Sequence, residues 1–318
     1  MIWKDRCFLS LGIAVVLIVL FGIIKPQPVD PLVANREKSN WFWTYKVHSN
    51  KVYDIVLVCD SRLYRGVSPE AMQKILGDEL RIFNFGFSSG GLNTRMLEEE
   101  KRRLAKDGKS RVVVLSVTPY SLTLDSAKNG HYLREATRPK EDVLQRMSYS
   151  SWWDFFKPVT PSLLRQWIMG RQKKPAIMYY EDFHSDGWVG SYTVPSNPGR
   201  ALKSYVKTFT KFKVDSGLVN DLFKHVRKLR TDGIKVFAFR PPVSDSMFEL
   251  EEKMSGFDQQ GFIDLFQQSG GVWINIPSDG YKTYDGSHMF KESAVRFSTE
   301  LAKRIKAVIK HQELKTVD

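Results

Sequence analysis

Three residues from opposite ends of the chain could together perform nucleophilic catalysis. Ser61 follows the apolar run 55-IVLVC-59, and Asp285 and His288 are three residues apart in 281-YKTYDGSHMF-290. In a turn, that spacing lets a carboxylate hold Nδ1 of the imidazole, which leaves Nε2 to take a proton from a hydroxyl. The pattern indicates a Ser-His-Asp triad for acyl transfer, with Ser61 as nucleophile, His288 as base and Asp285 as the residue that orients the base.

Each of these residues also has a structural interpretation. Ser61 could cap a helix, although Ser68, which precedes a proline and a glutamate, is better placed as a cap. Asp285 could favour the N-terminus of the final helix. Asp60 is better suited to holding the turn by hydrogen bonds than to catalysis, and His225, beside the apolar stripe of its helix, is expected to be structural. The triad therefore depends on whether the fold brings the two ends of the chain together.

An acyl-transfer nucleophile also needs hydrogen-bond donors for the oxyanion that forms on the substrate. The stretch 84-NFGFSSGG-91 follows the second apolar run. Gly86 lets the backbone approach a substrate closely, and we expect its N–H and that of Ser61 to be donors. Arg240, which follows the fourth run, is a candidate for binding an anionic or carbonyl group of the substrate.

The elements that must position these residues alternate between strands and helices. Continuous β-branched and aromatic runs predict strands buried on both faces, with amphipathic helices between them. The predicted strands are Tyr53–Cys59, 81–85, Arg111–Val117, 234–239 and Gly271–Ile276, and the predicted helices begin at Ser68, at Leu92, near Leu218 and before Ala294. This alternation favours an α/β fold with a mostly parallel sheet and helices on both faces. The strand-to-helix turns of such a sheet gather at one edge, where residues 61 and 288 can meet.

Two regions interrupt the alternation. Residues 120–205 mix aromatic and polar side chains, as in 151-SWWDFF-156, and we interpret them as an insertion with helical pieces that covers the sheet edge or the site. Residues 26–50 look like a linker, whose aromatic stretch 41-WFWTYKVHSN-50 should pack on the domain. The main domain is therefore expected at 51–318.

The N-terminus carries an uncharged apolar segment, 7-CFLSLGIAVVLIVLFGII-24. Its eighteen residues would reach about 27 Å as a helix, close to the hydrocarbon thickness of a bilayer. Lys4 and Arg6 before it favour a cytoplasmic start. We expect residues 1–25 to form an uncleaved anchor that crosses the inner membrane once, with the domain periplasmic or extracellular. A cleaved signal peptide is the alternative, with Val33-Ala34 as a weak cleavage site.

The composition is that of a globular protein with a basic excess. The 318 residues are 42% hydrophobic and 26% charged, with a formal net charge of +13. No zinc-finger spacing or aromatic RNA-binding signature is present, so no nucleic-acid partner is expected, and the dispersed basic residues indicate solvated helix faces. Cys7 and Cys59 should be far apart, which predicts no disulfide. Asp182, His184 and Asp186 alternate in a loop but lack a fourth ligand, so no metal is expected.

The blocks that carry the chemistry resemble those of the SGNH (GDSL-type) hydrolase superfamily, spread over roughly residues 52 to 310. The family's Gly-Asp-Ser block, its oxyanion glycine and its Asp-x-x-His block match Cys59-Asp60-Ser61, Gly86 and Asp285-Gly286-Ser287-His288. The resemblance implies a three-layer α/β/α sandwich with a flavodoxin-like sheet. It also implies catalysis by Ser61, His288 and Asp285 with no metal or organic cofactor.

The sequence departs from the family at the third block, which is Gly-x-Asn-Asp. Here 117-VTPYSL-122 follows the third strand without an asparagine, and Thr118, Tyr120 or Ser121 could supply the third oxyanion donor instead. Together with the anchor and Cys59 in place of glycine, this departure resembles the envelope-associated branch. That branch handles acyl groups on extracellular polysaccharides and cell-wall polymers.

We therefore expect a membrane-anchored, extracytoplasmic serine esterase or O-acyltransferase that acts on acylated glycans or other envelope polymers, with room for a membrane-bound acyl-transfer partner. The missing asparagine leaves a second hypothesis open, a catalytically inactive SGNH-like module that binds polymer or organises an envelope assembly. The distance between His288 Nε2 and Ser61 Oγ distinguishes the two, because an enzyme needs these atoms within hydrogen-bond reach.

Overall fold

A five-stranded parallel sheet forms the centre of the protein. The computed structural model of the chain describes residues 2–106, 110–150, 156–171 and 174–314, with side chains from residue 8 to residue 311. The strands are β1 (Ile55–Cys59), β2 (Ile82–Gly86), β3 (Val112–Ser116), β6 (Lys235–Phe239) and β7 (Val272–Trp273). Their order is β2-β1-β3-β6-β7, and each neighbouring pair is parallel. The prediction of an α/β fold with a mostly parallel sheet is confirmed.

The strands form where the sequence has continuous apolar runs. Every residue of β1, β2 and β3 is buried, as expected for strands covered on both faces. The last strand is shorter than the predicted Gly271–Ile276, because only Val272 and Trp273 pair with β6.

Helices connect the strands and cover the sheet. They are α4 (Ser61–Gly66), α5 (Pro69–Leu76), α6 (Thr94–Arg103), α11 (Ser216–Thr231), α12 (Asp245–Met254), α13 (Gln259–Gln268) and α14 (Lys291–Leu314). α14 packs against α4 and α5, whereas α6 packs against α11. The chain moves outward from β1 to β2 and returns across β1 to form β3. Sheets of this kind bind ligands at the carboxyl ends of the strands where this reversal occurs.

The residues predicted to begin and end the helix after Ser68 lie at the two ends of α5. Ser68 Oγ accepts the N–H of Ala71 at 3.3 Å, Pro69 is the first residue of α5, and Gly77 ends the helix with a φ of 144°. The helix predicted from Leu92 forms as α6. Its predicted stop, Asp107-Gly108, lies outside the described residues.

Residues 120–205 form several small elements instead of continuing the sheet. They comprise two 3₁₀ turns (Tyr120–Leu122 and Ser126–Lys128), α7 (Gly130–Ala136), α8 (Lys140–Met147), α9 (Pro161–Ile168) and an antiparallel hairpin of β4 (Met178–Phe183) and β5 (Val189–Val194), after which α10 (Leu202–Lys211) begins. The helical pieces were predicted. The hairpin was not, because its strands mix aromatic and acidic side chains without a regular alternation. Residues 151–155 of the aromatic stretch lie outside the described residues.

The hairpin covers β2, the strand at one edge of the sheet. Asn84 N donates to Asp186 O at 2.9 Å. Gly187, with a φ of 89°, lies so close to this strand that a Cβ would be 2.1 Å from Asn84 O, so only glycine fits there. This part of the insertion therefore covers the sheet edge.

The residues that precede β1 include three helices, α1 (Ile2–Ile24), α2 (Pro31–Ala34) and α3 (Arg36–His48). α3 belongs to the folded domain, because Phe42 is buried and Lys46 is buried completely. Lys46 Nζ donates to Gly187 O at 2.8 Å and lies between 5.2 and 5.4 Å from the ring centres of Phe42, Trp43, Tyr64 and Phe87. Burial lowers the pKa of Lys46 well below its usual value. The predicted packing of the aromatic stretch is confirmed, and the domain begins before residue 51.

The predicted anchor lies in α1, whose large apolar side chains are exposed from Phe8 to Ile24. Among the described residues, no helix combines the length and hydropathy needed to cross a membrane. The side chains of Lys4, Arg6 and Cys7 lie outside those that the structure describes.

Candidate active site

Ser61 stands where β1 ends and α4 begins. Asp60 caps α4, because its Oδ1 accepts the N–H of Arg62 at 2.9 Å, and its Oδ2 accepts the Thr118 hydroxyl at 2.9 Å. The structural role predicted for Asp60 is confirmed. Since Asp60 occupies the capping position, the hydroxyl of Ser61 is left for other partners.

Asp285 and His288 lie on a tight loop that leads into α14. Asp285 Oδ1 accepts the backbone N–H groups of Ser287 at 2.9 Å and His288 at 2.8 Å, which fixes the carboxylate. Gly286 has a φ of 94°, and a Cβ there would lie 2.0 Å from Pro198 O. Asp285 Oδ2 lies 2.8 Å from His288 Nδ1, so the loop pairs the two side chains as the spacing predicts.

The structure places Ser61 against the second nitrogen of the same imidazole. Ser61 Oγ lies 2.8 Å from His288 Nε2, although the two residues are 227 positions apart. With Nδ1–H donated to Asp285, Nε2 is the nitrogen that accepts the Ser61 hydroxyl proton. The side chains of His288 and Asp285 are 12% and 13% exposed, which leaves the site reachable from solvent. This arrangement meets the geometric requirement of a nucleophilic serine.

The charge state of the pair suits a base. Burial lowers the pKa of His288 below its usual value and the positive charge of Arg65 lowers it further, whereas Asp285 opposes both effects. Burial by itself would raise the pKa of Asp285, but the charge and hydrogen bonds of His288 prevail and bring it to about 2. At neutral pH the pair is therefore a carboxylate and a neutral imidazole, the form in which His288 can take a proton.

A buried arginine that the sequence analysis did not identify follows Ser61. The side chain of Arg62 is 1% exposed and pairs with Glu251 at 2.6 Å. Its Nε donates to Ser287 Oγ at 3.0 Å, and Ser287 lies between Asp285 and His288 in the chain. Arg62 therefore ties the turn that carries Ser61 to the loop that carries its base.

A second arginine, the half-buried Arg65, supports the imidazole from α4. Arg65 Nη1 donates to the Tyr284 hydroxyl at 3.1 Å. The ring of Tyr284 stacks on that of His288, with centres 5.8 Å apart and planes 17° apart. The position of Arg65 four residues after Ser61, one turn along a helix, was the signal available in the sequence.

Gly86, the predicted oxyanion donor, has a packing role in the structure. Its N–H is donated to Asn84 Oδ1 at 3.1 Å. A Cβ at this position would lie 2.9 Å from Asp60 O, so glycine allows β2 to approach the turn that carries Ser61. These contacts give no support to Gly86 as an oxyanion donor. The N–H of Ser61, the first in α4, has no acceptor within the helix.

The loop after Gly86 contains a candidate donor that was missed. Ser89 is exposed and has a φ of 53°. The neighbouring amides are held by protein acceptors: Ser88 N donates to His131 Nδ1 at 3.3 Å and Gly91 N to Asn129 Oδ1 at 2.8 Å. Within the described part of the chain, the amide of Ser89 donates to no protein acceptor.

The structure separates the three candidates for the missing asparagine. Thr118 and Ser121 are buried and bond to their surroundings: the Thr118 hydroxyl donates to Asp60, and Ser121 Oγ donates to Thr118 O at 2.8 Å. Tyr120 is half-buried, and its hydroxyl donates to Asp125 Oδ2 at 3.3 Å and interacts with the side chain of Ser89. Burial raises the pKa of Tyr120, so the hydroxyl keeps its proton and can donate it in a hydrogen bond.

Arg240 lies at the end of β6, with its guanidinium held by the protein. It donates to Glu251 at 2.9 Å, Glu252 at 2.7 Å and Gln259 at 2.6 Å. These contacts give the substrate-binding prediction no direct support. Arg240 does line a groove of about 330 Å³ beside the ends of β6 and β7.

The loop with alternating acids holds ion pairs. Asp182 Oδ2 accepts hydrogen bonds from Lys291 at 2.7 Å and from His184 at 3.1 Å, whereas Asp186 accepts the N–H of Trp188 at 3.1 Å. In the ranges that the structure describes, no three His, Cys, Asp or Glu side chains are grouped so as to hold a metal ion.

Known proteins resemble this chain only distantly. No family model matches the chain, and no curated protein matches it. A solved structure described as "a putative platelet activating factor from Streptococcus pneumonia" has 13% sequence identity, with 85% of this chain and 92% of that chain covered and a TM-score of 0.37. A likeness this loose carries no argument about activity, so the function of the site depends on its own geometry.

Proposed function

We propose that the protein is a serine esterase or O-acyltransferase of the SGNH type, with Ser61 as nucleophile, His288 as general base and Asp285 as the residue that orients the base. The observation that carries the proposal is the pair of 2.8 Å contacts that join Ser61 Oγ to His288 Nε2 and His288 Nδ1 to Asp285 Oδ2. The strand order and the two separately packed groups of helices support the three-layer, flavodoxin-like form of the fold.

In the proposed reaction, Ser61 Oγ bonds to the carbonyl carbon of an ester while His288 Nε2 takes the hydroxyl proton. The tetrahedral intermediate collapses, the bond to the alcohol oxygen breaks, and His288 gives the proton to that oxygen. Water or an acceptor hydroxyl then attacks the acyl-enzyme, with His288 again as base, and Ser61 is released. Asp285 stays ionised and stabilises the imidazolium that forms in each half-reaction.

We assign the developing oxyanion to three donors at the carboxyl-end edge of the sheet, which follow β1, β2 and β3. They are the N–H of Ser61, the amide of Ser89 and the hydroxyl of Tyr120. The assignment of Ser89 is supported by the absence of a protein acceptor for its amide among the described residues. Tyr120 is supported by its contact with Ser89. Its hydrogen bond to Asp125, at 3.3 Å, is also longer than those of Thr118 and Ser121, at 2.9 and 2.8 Å. Donors of this kind stabilise the intermediate more than the ground state.

The substrate we propose is an acylated glycan or a related envelope polymer. The groove of about 330 Å³ is lined by Phe248 and Trp273 together with polar Asp245 and Asn275. It adjoins the catalytic loop, since Ser244 N donates to Gly286 O at 3.0 Å. Aromatic surfaces with a few polar groups are typical of ligand sites, and they suit sugar rings, which have apolar faces and hydroxyl edges.

The cellular location is a proposal based on the sequence. The apolar segment 7–24 and the basic residues before it favour attachment at the inner membrane, with the domain periplasmic or extracellular. In that compartment a membrane-bound partner could deliver the acyl group.

A fluorophosphonate probe tests the proposal directly, because it reacts with activated serines. The purified full chain should be labelled, and Ser61→Ala should abolish labelling. Ser148→Ala, which changes an exposed serine at the end of α8, is the matched control and should label like the wild type.

A folded protein that stays unlabelled would favour the other hypothesis, a catalytically inactive module that binds polymer. Binding of an acylated glycan with equal affinity by the wild type and by Ser61→Ala, without turnover of the glycan, would establish that alternative.

A further inference from the structure

The helix α9 turns its apolar side outward. Leu164, Trp167 and Ile168 are 40%, 54% and 70% exposed, and their spacing places them on one face of the helix. Ser162 and Gln166, on the opposite face, line a groove of about 650 Å³ between α9 and residues 25–35. A helix on the surface of a water-soluble domain usually has the reverse orientation, with its apolar stripe towards the protein.

The segment around α9 is basic. Residues 156–175 include Lys157, Arg165, Arg171, Lys173 and Lys174 and no acidic residue. Arg165 borders the apolar face of the helix. An exposed apolar stripe bordered by cations complements a surface that is anionic outside and apolar beneath, which describes a phospholipid bilayer.

The position of α9 in the fold also supports a phospholipid bilayer as the surface that covers it. Lys25, the residue after α1, donates from Nζ to Lys157 O at 3.1 Å, so the segment that leads into α9 lies beside the end of α1. The large apolar side chains of α1 are also exposed. Two helices with outward-facing apolar side chains therefore lie near one another in the fold, and a single apolar phase can cover both.

We propose that α9 lies in the surface of a phospholipid bilayer, with Leu164, Trp167 and Ile168 among the acyl chains and with Arg165 and Arg171 at anionic headgroups. Tryptophan at this depth is typical of membrane interfaces. A contact of this kind requires no membrane-spanning segment, since an amphipathic helix binds in the plane of the interface. It is also independent of the proposed catalysis.

The test compares two labelled positions on α9 in the full chain. A polarity-sensitive fluorophore is attached at Ile168→Cys or at Gln166→Cys, with Cys7→Ser in both variants and the buried Cys59 retained. Both positions are exposed, so neither change should disturb the fold. The protein is bound to phosphatidylcholine vesicles that contain roughly a third phosphatidylglycerol. Quenching is measured with aqueous iodide and with lipids brominated on their acyl chains.

We expect brominated lipid to quench the label at 168 several times more strongly than the label at 166, and iodide to show the reverse order. Arg165→Gln with Arg171→Gln should weaken the lipid quenching at 168 in the anionic vesicles. Equal access of iodide to both positions would mean that α9 faces water. Protection of position 168 from iodide without quenching by brominated lipid would mean that a protein surface covers it. Either result would overturn the proposal.

Discussion

Two of the histidine–carboxylate pairs in the described part of the protein are of similar length but have different surroundings. On the loop before α14, Asp285 Oδ2 lies 2.8 Å from His288 Nδ1. Between α6 and α11, Glu100 Oε1 lies 3.2 Å from His225 Nε2. The difference between the pairs lies in what their remaining atoms contact.

In the first pair, every remaining polar atom has a partner suited to catalysis. Asp285 Oδ1 accepts two backbone N–H groups, and His288 Nε2 faces the hydroxyl of Ser61. In the second pair, Glu100 is buried completely, and its Oε2 has no hydrogen-bond partner among the residues that the structure describes. The other ring nitrogen of His225 lies 3.9 Å from Glu98 and faces no nucleophile.

These environments shift the pKa values of the two carboxyl groups in opposite directions. Burial favours the protonated form of both acids. At Asp285 the charge and hydrogen bonds of His288 outweigh that effect and bring the pKa to about 2. At Glu100 burial prevails over the pairing with His225, so its pKa is raised. A histidine and a carboxylate therefore form a proposed catalytic pair in one place and a structural contact in the other, depending on the burial of the acid and on the charge and hydrogen bonds around it.

The largest expected effect is a difference in catalytic activity between variants of His288 and of His225. His288→Ala should lower kcat/KM for an ester substrate by at least about a thousandfold, because it removes the base from the nucleophile. His225→Ala should change kcat/KM by less than about twofold once the value is corrected for the folded fraction. Ester hydrolysis by the purified variants measures both. Comparable losses in the two variants would remove the distinction between the pairs.

The next effect concerns stability. His225→Ala leaves Glu100 buried without its partner, which should lower the free energy of unfolding by about 3 kcal/mol. The double variant His225→Leu/Glu100→Leu should recover most of that loss, because no charge remains buried. Urea unfolding of the wild type and both variants measures the differences. A double variant as unstable as His225→Ala would show that the charge of Glu100 is not the cause.

A smaller effect concerns the pH dependence of stability. A folded pKa below the unfolded value stabilises the protein above about pH 4, and this contribution is lost as the pH falls towards the folded pKa. The fall in the pKa of Asp285 from 3.8 to about 2 corresponds to about 2 kcal/mol. Asp285→Asn should therefore lower the free energy of unfolding by that amount near pH 6 and by only about a third as much near about pH 2.5.

The contribution of Glu100 to stability should change with pH in the opposite direction. Because its pKa is raised in the folded protein, its contribution is present below about pH 4 and is lost as the pH rises. Glu100→Gln should match the wild type in acid and become relatively more stable towards neutral pH. Parallel slopes for the two variants in urea titrations would contradict the assignment of opposite pKa shifts.

The triad could be found from the sequence because its geometry follows from local rules. Short loops at the ends of parallel strands gather at one edge, and Asp-x-x-His in a turn is nearly sufficient to pair the two side chains. The same reasoning predicted the strands, since a run such as that of β3 is apolar at every position before its last residue, Ser116. The hairpin of β4 and β5 lacks such a pattern and acquires its structure by packing against Asn84 and α4.

The buried charges could not be predicted because their partners are distant in sequence. Arg62 pairs with Glu251, and Lys46 donates to Gly187. A basic residue in a sequence is usually exposed, and only the tertiary structure shows which ones are enclosed. The donor role predicted for Gly86 failed for a different reason. Its N–H donates to the carboxamide of Asn84, a local contact that the apolar pattern of the strand does not indicate.

The smallest expected effect tests how the half-buried charge of Arg65 acts on His288. The charge of Arg65 adds to burial in lowering the pKa of His288, so the rise of kcat/KM with pH should have its midpoint below about 6.5. Arg65→Gln removes the charge and should move that midpoint up by about half a pH unit. Arg65→Lys keeps the charge and should leave the midpoint close to that of the wild type, while thermal unfolding shows whether each variant is folded. If a folded Arg65→Gln variant keeps the wild-type midpoint, then burial sets the pKa of His288 without help from the arginine.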